Sequence, residues 1–184
     1  MIDTDTILYV LSLEDSIPDF EMINYQLTNA GYHLLITHVE KESDFVASIR
    51  NNQYDIILAD FNLPGFDAFG ALRLCSEICP ATPFICVSGS IGEETAIELL
   101  KLGAVDYVIK DRPERLPFAV QRALDEAKDK MIRKKAEEAL TAKMKELERF
   151  HKLTVGRELA MVELKKEVNE LLKKSGQEEK YVIV

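Results

Sequence analysis

Residues 54–67 read YDIILADFNLPGFD, and within this segment a short apolar run gives way at Asp60 to a polar, turn-forming loop. Short apolar runs bounded by turn residues are typical of strands that are buried on both faces of a parallel sheet. In open α/β sheets, ligands bind just beyond the carboxyl ends of such strands. Asp60 therefore occupies the position of a reactive carboxylate.

Three further apolar runs end in polar residues. The run ILYVLSL is followed by Glu14 and Asp15, PFICV is followed by Ser88, and VDYVI is followed by Lys110. Because the carboxyl ends of parallel strands lie on one edge of a sheet, we expect these groups and Asp60 to share a pocket. Each residue alone has an ordinary explanation as a turn former, cap or surface charge. Their joint placement favours a functional site.

The whole first part of the chain alternates apolar strands with helical patterns five times. This alternation is the signature of right-handed βαβ units, with a parallel sheet covered by helices on both faces. Helices are predicted at about residues 17–30, 41–51, 71–79 and 93–103, and from near residue 115 onward. Ser16 is the predicted N-cap of the first helix, and the predicted helix stops are Gly31, Pro80 and Gly103.

From Leu116 onward, Gly and Pro nearly vanish for about sixty positions, which predicts one long helix or two in line. At about 1.5 Å per residue it would extend roughly 90 Å, so most of it cannot pack on the sheet. A heptad seam runs through Leu147, Phe150, Thr154, Arg157, Met161, Leu164, Val168 and Leu171. We predict a dimerising coiled coil over residues 126–174 and a short tail over 175–184 without a readable role. The alternative is a solvated helix without a partner.

Composition excludes several classes of function. The 184 residues carry a net charge of −9, and residues 1–118 hold 19 acids against 7 bases, which argues against a nucleic-acid surface. No apolar stretch is long enough to span a bilayer, and the start of the chain lacks the features of a secretory signal, so we expect a soluble cytoplasmic protein. The three cysteines lie in apolar segments and are expected to be reduced core thiols: Cys75, Cys79 and Cys86.

Carboxylates that converge on one pocket need a cation, because like charges a few ångströms apart raise one another's pKa. An oxygen-only set without His or Cys favours Mg²⁺ or Mn²⁺. Lys110 and Ser88 add an ammonium and a hydroxyl that suit phosphate oxygens. With these partners, Asp60 is a candidate nucleophile that forms an acyl phosphate.

Over about residues 5–125 the chain resembles the receiver domain of bacterial response regulators. The segments that carry the resemblance are DFNLPGFDAFGAL, VSGSIGEETAIELLKLGA and DYVIKD. The resemblance implies a flavodoxin-like fold, which is an α/β, doubly wound, five-stranded parallel sheet of strand order 2-1-3-4-5, here over residues 1–125 and followed by a long C-terminal helical extension.

The resemblance also implies roles for individual residues. Asp60 corresponds to the phosphoacceptor, Ser88 and Lys110 to its catalytic partners, and Tyr107 to the aromatic switch. The protein ligands implied for Mg²⁺ are Glu14, Asp15, Asp60 and the backbone carbonyl of Asn62. Many members follow the lysine with proline in a cis peptide, whereas Asp111 stands here, which leaves the isomer of that bond open.

By this resemblance, we expect a phosphoacceptor of a two-component phosphorelay that takes a phosphoryl group from the phosphohistidine of a sensor kinase or a phosphotransfer protein. Its only catalysis would be its own phosphorylation and dephosphorylation at Asp60. The segment ERFHKLTVGRELAMVELKKEVNELLKK also resembles sensor-kinase linkers, which implies a homodimer. Neither a nucleic-acid nor a membrane partner is expected.

Two other functions remain open. The first is a constitutive dimeric scaffold whose receiver pocket is never phosphorylated. The second is an aspartyl-phosphate phosphatase, but such enzymes need a second acid beside the nucleophile and a cap over the site. Asn62 stands where that acid is expected, and no cap insertion is visible.

Overall fold

A computed structural model describes residues 7–89, 92–178 and 180–182, except for the side chains at positions 153 and 154. The seam position Thr154 therefore has its side chain outside the described part. The chain divides into two compact units, with the boundary between Met131 and Ile132.

A five-stranded parallel sheet forms the centre of the first unit. Its strands are β1 (Ile7–Leu13), β2 (His33–Val39), β3 (Ile56–Ala59), β4 (Phe84–Ser88) and β5 (Asp106–Ile109). All four neighbouring pairs are parallel, and the order is β2-β1-β3-β4-β5. The predicted fold class and the strand order 2-1-3-4-5 are confirmed.

Helices connect the strands. They are α1 (Ile17–Asn29), α2 (Glu42–Asn51), α3 (Ala68–Ile78), α4 (Glu93–Lys101) and α5 (Leu116–Lys174), the last preceded by a 3₁₀ turn at Pro113–Arg115. The C-terminal segment is one long helix, α5, which is the first of the two alternatives that the sequence left open. No described helix is long and apolar enough to cross a membrane.

Side-chain capping explains where α1 and α3 begin. The hydroxyl of Ser16 accepts a hydrogen bond from the amide of Asp19 at 3.4 Å, so the predicted N-cap of α1 is confirmed. α3 begins at Ala68, earlier than the pattern predicted, because the Asp67 carboxylate caps it by accepting from the amide of Gly70 at 2.8 Å. A short hairpin precedes α3, in which Asn62–Leu63 pairs with Phe66–Asp67. The sequence pattern does not predict this hairpin.

Two predicted helix stops have the backbone conformation that such a position requires. Gly31 and Gly103 have φ values of 95° and 114°, a region that side-chain-bearing residues rarely adopt. The chain therefore reverses sharply after α1 and after α4, and the following strand enters the sheet directly.

The core has one apolar layer on each face of the sheet, because alternate residues of a strand point to opposite faces. One layer contains side chains from α2, α3 and α4, among them Phe45, Ile49, Leu72, Cys75 and Leu99. The other contains side chains from α1 and the start of α5, among them Ile23, Leu27, Leu116, Val120 and Ala123. Every residue of β3 and β4 is buried, as the continuous apolar runs predicted. The cysteines are free, two of them buried and Cys79 half-buried.

The second unit consists of the remainder of α5 and the tail that follows it. The side chain of Asn169 is almost fully buried and binds the tail backbone. Its carbonyl oxygen accepts from the amides of Lys180 and Tyr181, both at 3.0 Å, and its amide donates to the carbonyl of Tyr181 at 2.7 Å. The tail thus packs on the helix, a contact that no sequence pattern predicts.

Candidate functional site

The strand ends bring the three predicted acids together. Glu14 and Asp15 follow β1, Asp60 follows β3, and the amide of Asp60 donates to the carbonyl of Leu13 at 2.9 Å, which ties the two strand ends to each other. One carboxylate oxygen from each acid lies within 4.8 Å of the other two. Glu14 and Asp60 are buried and Asp15 is exposed, so the cluster extends from the interior to the surface.

Lys110 reaches this cluster from the end of β5. Its backbone amide donates to the carbonyl of Ser88 at 2.8 Å, which continues the pairing of β4 and β5 by one step. Its ammonium nitrogen lies 2.8 Å from Glu14 Oε2 and 3.3 Å from Asp60 Oδ2. It also lies 2.6 Å from Asp19 Oδ2. Asp19 is not among the site residues predicted from the sequence, although its place three residues after Ser16 marks it as part of the first turn of a helix.

The carboxylate of Asp60 is held in one orientation. Its Oδ1 accepts a hydrogen bond from the amide of Phe61 at 2.7 Å, while its Oδ2 faces Lys110. The residue is only 8% exposed. A single carboxylate oxygen is therefore directed toward the ammonium and the other acids.

Glu14 is held from several sides. Its Oε1 accepts from the amide of Ser16 at 3.2 Å, and its backbone carbonyl lies 2.7 Å from Nε2 of His38, whose ring stacks on Phe20 at 4.3 Å. Burial raises the pKa of Glu14 above its ordinary value of 4.5, and the nearby Lys110 only partly opposes this. Burial thus makes the ionised form of Glu14 energetically unfavourable.

The pKa of Lys110 is raised. Burial by itself would lower it, but the hydrogen bond to Asp19 and the nearby negative charges of Glu14 and Asp60 outweigh burial. The lysine therefore stays charged at neutral pH.

The acids fit a hard divalent cation. They offer only oxygen ligands, and Glu14 Oε2 is buried without a well-directed hydrogen bond among the described residues, even though it lies close to Lys110. A buried carboxylate oxygen in this condition is suited to a metal ion. Receiver-type Mg²⁺ ligation by Glu14, Asp15 and Asp60 is thus compatible with the donor set.

The remaining predicted residues lie around this cluster at different depths. Ser88 is 1% exposed at the end of β4 and is paired with Ile109 of β5. Tyr107 lies in β5, half-buried, and packs against the apolar layer formed with α2, α3 and α4. Asn62 is exposed in the hairpin after β3. No cis peptide bond occurs in the described chain, so the bond before Asp111 is trans.

An open groove of about 760 Å³ adjoins the acids. Its lining includes Asp15 after β1, Asn62 and Phe66 in the hairpin after β3, and Arg73 in α3. The exposed member of the acidic cluster therefore faces a space that a second molecule can enter.

The response regulator receiver domain family matches residues 10–121 of this chain. The transcriptional regulatory protein ZraR of Salmonella typhimurium is 28% identical over 116 residues, which are 62% of this chain and 26% of that protein. The cell cycle transcriptional regulator CtrA of Caulobacter vibrioides is 31% identical over 101 residues, 55% of this chain and 43% of that protein. The chain therefore spans less than half of the length of these relatives.

Solved structures agree with the fold. A CheY-like receiver domain protein from Methanospirillum hungatei JF-1 has a TM-score of 0.60 at 23% identity, with 68% of this chain and 99% of that chain covered. The chemotaxis response regulator CheY4 of Vibrio cholerae has a TM-score of 0.56 at 25% identity, with 64% and 99% covered. Because the family match covers more than half of the chain and the fold agrees with it, this chain belongs to the response regulator receiver domain family of two-component signalling.

Proposed function

We propose that Asp60 is the phosphoacceptor of a two-component phosphorelay. The observation that carries this proposal is the convergence of Asp60, two further acids and the Lys110 ammonium at the carboxyl edge of the sheet. A carboxylate nucleophile, a cation site and a fixed positive charge are the groups that phosphoryl transfer needs.

Glu14, Asp15 and Asp60 are the side chains that we propose to hold Mg²⁺, with the backbone carbonyl of Asn62 as a further ligand. Mg²⁺ supplies charge neutralisation for the phosphoryl oxygens when it is bound. The oxygen-only donor set and the poorly satisfied Oε2 of Glu14 support this assignment.

Asp60 attacks with the oxygen that faces Lys110. The amide of Phe61 occupies Oδ1, which leaves Oδ2 as the nucleophile. The new O–P bond forms as the N–P bond of a phosphohistidine on a sensor kinase or phosphotransfer protein breaks, and the electron pair of that bond remains on the imidazole nitrogen. Lys110 and the hydroxyl of Ser88 then bind phosphoryl oxygens. Attack of water on phosphorus later breaks the O–P bond and restores the carboxylate with release of phosphate.

The phosphoryl group biases a two-state switch. When it draws Ser88 and Lys110 toward itself, Tyr107 turns inward and changes the face formed by α4, β5 and α5. The register supports this coupling, because Ser88 pairs with Ile109 and Cys86 pairs with Tyr107 across the same two strands.

We further propose that residues 126–174 form a coiled coil with a second copy of the chain, while residues 1–125 form the receiver. A helix that is exposed over most of its length, as residues 126–174 are, is marginal without a partner. The seam positions with exposed apolar side chains support the dimer: Leu147, Phe150, Met161, Leu164 and Leu171.

Cysteine crosslinking tests this dimer. In a parallel coil, Leu164→Cys places two thiols across the seam, and we expect an oxidised, covalently linked dimer. Lys166→Cys, an exposed position on the opposite side of the helix, is the matched control. Equal crosslinking of both variants argues against the seam. Crosslinking at Leu164 that differs between phosphorylated and unphosphorylated protein would show that the receiver changes the coil.

Intact mass after incubation with acetyl phosphate and Mg²⁺ tests the phosphoacceptor. We expect one phosphoryl group on the wild type, none on Asp60→Asn and none with EDTA. Asp67→Asn is the control, because it removes a nearby loop carboxylate whose capping role Asn can retain. Absence of the mass gain on the wild type would support a constitutive scaffold, and continued release of phosphate over many turnovers would support a phosphatase.

A further inference from the structure

Asp19 is an acid of the pocket that belongs to neither the proposed metal ligands nor the proposed phosphoryl ligands. It lies in the first turn of α1, and its Oδ2 is 2.6 Å from the ammonium of Lys110. Among the described residues, this is the shortest of the three contacts that the lysine makes with carboxylates. The carboxylate of Asp19 comes from a position 91 residues away in sequence.

The local geometry directs Asp19 to the lysine and away from a capping role. An acid at this helix position often turns back to the amide of the N-cap residue. Here the amide of Ser16 is already bound by Glu14 Oε1 at 3.2 Å. The side chain of Asp19 thus contributes its charge to Lys110, while its backbone amide remains capped by the Ser16 hydroxyl.

Asp19 is also the partner that can release the lysine most readily. Its side chain is 36% exposed, whereas that of Glu14 is 0% exposed and that of Asp60 is 11% exposed. Water can solvate the Asp19 carboxylate when Lys110 leaves, so the separation costs little. A buried carboxylate has no such compensation.

We propose that Asp19 is a positioning residue that holds Lys110 in the unphosphorylated protein and competes with the phosphoryl group for this lysine. This inference rests on the proposed function, in which Lys110 moves to the phosphoryl oxygens. Asp19 stabilises the resting arrangement, and its negative charge opposes an incoming anionic phosphoryl group. Asp19 thereby sets how strongly the site holds that group.

The substitution Asp19→Asn separates this role from a purely structural one, because it raises the affinity for a phosphoryl mimic without raising the affinity for Mg²⁺. Affinity for a phosphoryl mimic rises, since Lys110 no longer has to leave Asp19. Affinity for Mg²⁺ alone stays constant or falls, since the pocket loses a negative charge. Damage to the first turn of α1 would instead weaken both.

The test is a titration of the 184-residue chain with beryllofluoride at saturating Mg²⁺, and separately with Mg²⁺ alone, each followed by amide chemical shifts. Asp19→Asn should bind beryllofluoride about two- to five-fold more tightly, as expected for a partly exposed ion pair. Asp19→Glu should return the affinity toward that of the wild type. Glu21→Gln removes an exposed acid from the same helix and should leave the beryllofluoride affinity unchanged.

The possible results separate the role of Asp19 from the proposed function. Equal or weaker beryllofluoride binding by Asp19→Asn, with a normal wild-type response, overturns the role of Asp19 and leaves the proposed function standing. An equal gain in Glu21→Gln also overturns it, because the effect would then be one of general charge. Absence of any beryllofluoride response in the wild type overturns the proposed function together with this inference.

Discussion

Replacing Lys110 by Met should destabilise the metal-free receiver unit by about 3 kcal/mol at pH 7. The ammonium lies 2.8 Å from Glu14 Oε2, where one ion pair has a Coulomb energy of about 6 kcal/mol at an effective dielectric constant of about 20. Desolvation of both groups offsets part of this energy. Removing one member of a buried pair costs about 3–5 kcal/mol, and we take the lower end because the Asp19 contact is open to water.

The loss should depend on pH in a defined direction. Burial already raises the pKa of Glu14, so the native protein binds this proton more readily than the unfolded chain, and its stability falls as pH rises above the ordinary value of 4.5. Without Lys110 the pKa of Glu14 rises further. The substitution should therefore cost more at pH 7 than at pH 5, where Glu14 more readily takes up a proton.

Urea unfolding in EDTA, followed by tyrosine fluorescence, measures this loss. Five of the six tyrosines precede Met131, and the chain has no Trp, so the signal reports mainly on the receiver unit and not on the long helix. Lys130→Met is the matched control, since it makes the same chemical change at an exposed position of α5. Mg²⁺ should stabilise Lys110→Met more than the wild type, because the ion no longer competes with the ammonium for the same carboxylates.

Two results would refute this reasoning about Lys110. One is a loss below about 1 kcal/mol in EDTA at pH 7, the range of an exposed ion pair. The other is equal stabilisation of the wild type and the variant by Mg²⁺, which would mean that the ammonium and the metal do not share ligands.

Three further predictions concern Glu14, the cysteines and Gly156. Glu14→Gln should weaken Mg²⁺ binding at least about tenfold in calorimetric titration. It should also flatten the pH dependence of the free energy of unfolding in EDTA between pH 5 and 7. An unchanged Mg²⁺ affinity would show that Glu14 is not a metal ligand. A hydrogen bond with Cys75 lowers the pKa of Cys79 to about 7, whereas burial raises the pKa of Cys86 to about 12. Iodoacetamide at pH 7.5 should therefore alkylate Cys79 first, and peptide mass mapping that finds Cys86 modified at the same rate would contradict this. Gly156→Ala should stabilise α5 by about 1 kcal/mol, because Ala has a higher helix propensity than Gly and a Cβ there meets no atom within 4 Å. Helicity measured during thermal unfolding checks this prediction. An unfolding midpoint below that of the wild type would contradict it.

Local patterns were sufficient for most of the fold. Continuous apolar runs identified β3 and β4 as buried strands, and the stops at Gly31 and Gly103 followed from the backbone conformations that glycine allows. The convergence of Glu14, Asp15 and Asp60 was also predictable, because parallel strands end on one edge of a sheet. The short hairpin after Asp60 was not, because two-residue strands have no periodicity to detect.

The sequence by itself determined which residue types stand at the strand ends, and hence that acids, a hydroxyl and a lysine meet in one place. Only the tertiary structure decided how Lys110 divides its contacts among Glu14, Asp19 and Asp60. In the same way, only the fold brings the tail to Asn169. The physical reason is that periodicity and capping act over a few residues, whereas distances of 2.6–3.3 Å between side chains far apart in sequence depend on how packed helices and strands settle against one another.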